Sequence, residues 1–62
     1  MLSVLIIDDE APARDELRSL LQNEPDIVIL GEAANAIEGV AAINRLHPDA
    51  VFLDIQMPRV SG

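Results

Sequence analysis

Three short, uninterrupted apolar runs constrain this chain more than any other feature: Val4-Leu5-Ile6-Ile7, Ile27-Val28-Ile29-Leu30 and Ala50-Val51-Phe52-Leu53. A strand with one wet face alternates apolar and polar residues, whereas a strand covered on both faces reads as a continuous apolar run. The first two runs are rich in β-branched residues and the third carries the only aromatic, Phe52. All three are too short and too sharply bounded for buried helices. They predict strands at about 3–8, 27–33 and 50–54 in a parallel sheet with helices on both faces.

The intervening stretches carry the helical period. A first helix is expected over about 11–23. Pro12 sits in the first turn, where its missing N–H costs nothing, and Asp9 and Glu10 suit the positive helix end. Ala13, Leu17, Leu20 and Leu21 form one apolar stripe. Glu10 and Arg14 have the spacing of an i,i+4 ion pair. A second helix is expected over about 36–46, opened by a capping-box-like Asn35…Glu38 and closed by His47-Pro48. Ile37, Val40, Ile43 and Leu46 form its apolar side, and Gly39 weakens it. His47 and the four arginines read as surface residues, His47 at a helix C-terminus where a cation is favourable. The order is β-α-β-α-β, and right-handed crossovers put the helices on the sheet faces.

Composition narrows the function classes. Sixty-two residues allow one domain, and a chain of that size buries only about 60% of its unfolded surface. With no cysteine there is no disulfide and no thiolate metal site. A hydrophobic fraction of 50% excludes disorder by composition. Eleven acids against four arginines give a net charge of −7. That argues against nucleic acid or an anionic membrane as a direct partner and suits cations. One aromatic is too few for a base-stacking platform. No apolar run approaches a membrane span and no signal peptide opens the chain, so a cytoplasmic location is expected.

The chemistry-bearing residues are acids at strand ends. Parallel α/β sheets bind ligands at the carboxyl ends of their strands, where the strand order reverses. Asp8 and Asp9 end the first strand and Asp54 ends the third. If those strands are neighbours, three carboxylates converge on one edge and repel one another. An all-oxygen cluster invites a hard divalent cation, Mg²⁺ rather than Zn²⁺. Beside such a metal, a carboxylate can accept a phosphoryl group as an aspartyl phosphate. Taken singly, each acid also fits a purely structural role, because Asp favours turns and caps helices.

The segments Leu5-Ile6-Ile7-Asp8-Asp9-Glu10-Ala11-Pro12 and Val51-Phe52-Leu53-Asp54-Ile55-Gln56-Met57-Pro58, with Gly62, closely resemble response-regulator receiver domains. Ala13-Arg14-Asp15-Glu16-Leu17-Arg18 looks like the LytTR-type subgroup. The resemblance covers essentially the whole chain. It implies a flavodoxin-like fold, here three parallel strands in order 2-1-3, with residues 1–62 forming the N-terminal half of a receiver. It implies Asp54 as phosphoacceptor, Asp9 as a direct Mg²⁺ ligand, Asp8 as a helper through water, and the main-chain carbonyl of Gln56 as a further ligand. Met57, Pro58 and Gly62 would shape the loop behind the acceptor, proline by fixing φ and glycine by permitting positive φ. The implied phosphodonor is a sensor histidine kinase, with the readout in a DNA-binding output domain.

Receivers also use a Ser or Thr after strand four and a Lys after strand five. This sequence has no Lys and no Thr, and losing one preorganised donor can cost roughly 10² to 10³ in rate. Slow or absent phosphorylation of the chain by itself is therefore expected, as is an exposed edge at the third strand open to a homodimer or a domain swap. Two other readings compete. One is an interaction fragment that self-associates and keeps the acidic metal pocket without phosphotransfer. The other is a metal-dependent phosphatase with an Asp nucleophile, which such enzymes place as Asp-x-Asp where this chain has adjacent acids.

Overall fold

The computed structural model describes residues 1–54. β1 (Leu2–Asp8), α1 (Ala11–Gln22), β2 (Ile27–Ala33), α2 (Ala36–Leu46) and β3 (Ala50–Asp54) follow in chain order. The strands form one parallel sheet in the order β2-β1-β3. This is the flavodoxin-like 2-1-3 arrangement expected from the sequence. Element bounds agree with expectation apart from one residue at the start of β1 and one at the end of α1.

β1 is central, and its apolar run is fully covered. Alternation divides it between two layers. Val4 and Ile6 pack with Leu21, Leu17, Ile27, Ile29, Ala50 and Phe52 on the α1 side. Leu5 and Ile7 pack with Ala33, Ala42, Ile43 and Leu46 on the α2 side. Val4, Leu5 and Ile6 are completely buried, which is why the run shows no polar alternation.

The apolar stripes of the helices are rotated from those the periodicity suggests. In α1, Leu21 is buried and Leu17 packs on the core, but Leu20 is 62% exposed. In α2, Ile37 is 84% and Val40 57% exposed, while Gly39 and Ala42 take the buried face. Gly39 is thus a close-approach site rather than a weak point. A Cβ there would lie 2.5 Å from Ile7 Cδ1, so its absence lets α2 settle onto β1.

Caps and clasps fix the ends. Asn35 Oδ1 accepts from the Glu38 N–H at 2.8 Å, as the capping pattern predicts. Glu38 Oε1 accepts from the Ala34 N–H at 3.1 Å, one residue before the cap. His47 closes α2 in the left-handed region at φ 51°, its N–H donating to the Ile43 carbonyl. At the amino ends of β1 and β3, the Ser3 N–H and hydroxyl both donate to Asp49 Oδ2 at 2.9 Å. The Asp49 N–H returns a bond to the Ser3 carbonyl. No helix among the described residues is long and apolar enough to cross a membrane.

Candidate functional site

The carboxyl ends of β1 and β3 bring the strand-end acids together. β1 and β3 run in continuous parallel register from Val4↔Ala50 to Asp8↔Asp54. Neighbouring parallel strands lie about 4.8 Å apart, so Asp8 and Asp54 occupy adjacent backbone positions on one edge. Asp9 follows Asp8 directly and is exposed. Gln56, Met57, Pro58 and Gly62, the other residues singled out in the sequence, lie outside the described residues. His47 precedes β3 and so belongs to the opposite edge of the sheet.

Asp8 is buried, with only 4% of its surface accessible. Its place follows from alternation, since Val4, Ile6 and Asp8 share the α1 face of β1. It lines a shallow groove together with Ala13, Glu16, Leu17 and Leu20. The Glu10 N–H donates to Asp8 Oδ1 at 2.9 Å, so Asp8 stabilises the turn that enters α1. Glu10, in extended conformation at the N-cap, makes no side-chain cap of its own. The structural and chemical readings of Asp8 are therefore compatible: one oxygen serves the turn, and Oδ2 has no protein donor among the described residues.

Sequence reasoning missed Arg14. The expected Glu10–Arg14 side-chain pair does not form; only their backbones meet, Arg14 N–H to Glu10 carbonyl. The Arg14 side chain is four-fifths covered. Its Nη1 donates to the Asp8 main-chain carbonyl at 2.7 Å, and its Nε lies 3.4 Å from Glu32 Oε1. Arg18 Nη1 donates to Glu32 Oε2 at 2.8 Å. Arg14 is thus not a solvated surface residue. A detectable signal existed: Arg14 and Arg18 are one helical turn apart, the spacing at which two side chains can meet one acid on a neighbouring strand.

Asp8 and Asp9 bring carboxylate oxygens to this edge, a chemistry that suits a small, hard divalent cation rather than a soft one; no cluster of three metal-ligating side chains forms among the described residues.

The response regulator receiver domain family model matches residues 4–62. The transcriptional regulatory protein BtsR of Salmonella typhi is 60% identical over all 62 residues, and BtsR of Escherichia coli K12 is 58% identical. An uncharacterized response regulatory protein of Vibrio cholerae is 60% identical over the same span. The chain covers 26% of the length of each of these relatives.

Proposed function

From a chain that belongs to the response regulator receiver domain family, we propose a phosphoacceptor module of two-component signalling, with Asp54 as acceptor. The observation that carries this reading is the register pairing of Asp54 with Asp8 at the carboxyl edge of the sheet, beside Asp9. Receivers take their phosphoryl group from sensor histidine kinases. The Asp54 carboxylate oxygen bonds to phosphorus as the P–N bond to the donor imidazole breaks, and the electron pair stays on that nitrogen. Asp8, Asp9, Asp54 and the Gln56 carbonyl would hold Mg²⁺, which when bound offsets the negative charge of the transferring group. Met57, Pro58 and Gly62 would shape the loop behind the acceptor. The chain is then a substrate of its kinase rather than an enzyme.

The LytTR-type subgroup rests on Ala13–Arg18, and a DNA-binding output on the relatives' description as transcriptional regulators; a cytoplasmic location is part of the same reading. The rival reading, a fragment acting only by self-association, is not favoured, because it leaves the strand-end acids without a role. Among the described strands β3 pairs only with β1, which leaves a place where two copies could pair within the signalling reading.

Acetyl phosphate with Mg²⁺, followed by intact mass and hydroxylamine sensitivity, tests the assignment. The expected result is slow, Mg²⁺-dependent formation of one acyl phosphate, abolished in Asp54→Ala. Label that persists in Asp54→Ala overturns it.

A further inference from the structure

The most informative irregularity in the sheet lies on β2, away from the acid edge. Val4 pairs with Ile29 but Leu5 pairs with Gly31, leaving Leu30 as an extra residue on β2. Because side chains alternate along a strand, one extra residue reverses the face of everything after it. In an unbroken ladder Glu32 would pair with Ile7 and face the apolar layer under α2. With the bulge it pairs with Ile6 instead and meets Arg14 and Arg18 of α1. Ala33 takes the place beside Ile7 and is buried there.

The bulge therefore builds a chain of contacts from Glu32 through Arg14 to the Asp8 carbonyl. The bulge keeps the Glu32 carboxylate out of the apolar layer under α2, but the ion pairs it forms add little stability of their own. Partly exposed ion pairs contribute about 0.2–1 kcal/mol, and the bulge interrupts a ladder. What the arrangement fixes is the peptide between Asp8 and Asp9. Arg14 holds its carbonyl oxygen at 2.7 Å, while the Glu10 N–H holds the Asp8 carboxylate at 2.9 Å. A fixed peptide plane fixes the direction in which Asp9 leaves the main chain. Only a planar guanidinium can bond the carbonyl with one nitrogen and face the carboxylate with another.

We infer that Arg14, anchored by Glu32, is a positioning residue that aims the Asp8–Asp9 pair at a divalent cation. The inference rests on the metal reading proposed above. Charge and geometry predict opposite signs. A guanidinium acting only as a nearby positive charge repels the cation, so its removal would tighten binding. A guanidinium acting as a positioner weakens binding when lost, and Arg14→Lys then behaves like Arg14→Gln although it keeps the charge.

The experiment is a MgCl₂ titration of the 62-residue chain followed by amide NMR, with Kd read from peaks of the folded form. Arg14→Lys, Arg14→Gln and Glu32→Gln are each expected to weaken Mg²⁺ about tenfold, the lower end of the range for residues that orient metal ligands. Arg18→Lys, which loses a bond to Glu32 but none to Asp8, is expected to leave Kd unchanged. Binding in both Arg14 variants as tight as wild type, or tighter, overturns the inference while the metal reading stands. An equal loss in Arg18→Lys overturns it too, because the network would then act through structure at large. A wild-type chain that takes up no Mg²⁺ overturns the metal reading and the inference with it.

Discussion

Replacing Gly39 by alanine sets two quantities of similar size against each other, and the structure says how to separate them. In a helix interior alanine is favoured over glycine by about 0.8–1.0 kcal/mol. Against that, the new Cβ would lie 2.5 Å from Ile7 Cδ1, 3.2 Å from Cγ1 and 3.5 Å from Cγ2. Carbon atoms in good contact sit about 3.5–4.0 Å apart, so Cδ1 must retreat by about 1 Å. Overpacking of a core costs about 1–3 kcal/mol. Ile7 also borders an apolar groove with Val40, Val51 and Leu53, into which its terminal methyl can turn, so the lower half of that range applies. Gly39→Ala is then destabilising by about 0–1 kcal/mol, the difference between the overpacking and propensity figures. Ile7→Val deletes the offending methyl and leaves both γ-carbons; alone it costs about 0.5–1.5 kcal/mol. In that background Gly39→Ala has lost its worst clash and is expected to stabilise, which gives a favourable coupling of about 1–2 kcal/mol for a pair in direct contact. Urea unfolding of the four proteins by far-UV circular dichroism, at unchanged slope, measures it. Additivity within about 0.5 kcal/mol, or a lone Gly39→Ala that gains the whole propensity difference, refutes the close-approach account.

Two further outcomes are expected. The Ser3 N–H, then the Ser3 hydroxyl, hold the Asp49 carboxyl below its ordinary value of 3.8. A depressed carboxyl favours the ionised folded form, so its contribution is complete above the unfolded pKa and fades as pH falls through the folded one. Asp49→Asn should therefore melt below wild type near neutrality, the gap closing in acid below 3.8; a gap constant with pH would refute it. At the other margin β3 pairs only with β1 among the described strands, and Leu53 is 64% exposed. Sedimentation at rising concentration is expected to show dimers that Leu53→Lys returns to monomers, since a charge on an open edge blocks strand pairing. A wild-type chain that stays monomeric refutes this.

The strands were legible because burial on two faces leaves a direct trace in sequence, whereas their order, and with it the edge that carries the acids, was implied by the resemblance to receiver domains. Val4 to Ile7 have no polar residue among them because β1 has no wet side. The helix faces were less legible. Ile37 and Val40 look like core by period but are exposed, while Gly39 and Ala42 hold the inner face. How closely two elements approach is decided by the smallest residues, which hydrophobic patterning ignores. Arg14 was hidden for another reason. Reading outward from Ile27 and Ile29 in steps of two, Glu32 falls on the α2 face and has no business with α1. Only the unpaired Leu30 brings it round, and the one local hint was Gly31, since an isolated glycine inside a strand pattern often marks a bulge.

The acid edge depends on this machinery elsewhere because it cannot assemble itself. Carboxylates of like charge gain nothing by convergence until a cation arrives. Their proximity must be imposed by features that hold without it. The Ser3–Asp49 clasp sets the register of β3 on β1 at the opposite end of the ladder. A slip of one residue there would turn every later side chain of β3 to the other face. The buried run of β1 carries that register forward to Asp8↔Asp54. The β2 bulge then turns Glu32 toward Arg14, which reaches the last peptide of the strand. Register, packing and peptide orientation are thus set from three directions, none of which requires the three acids to attract one another.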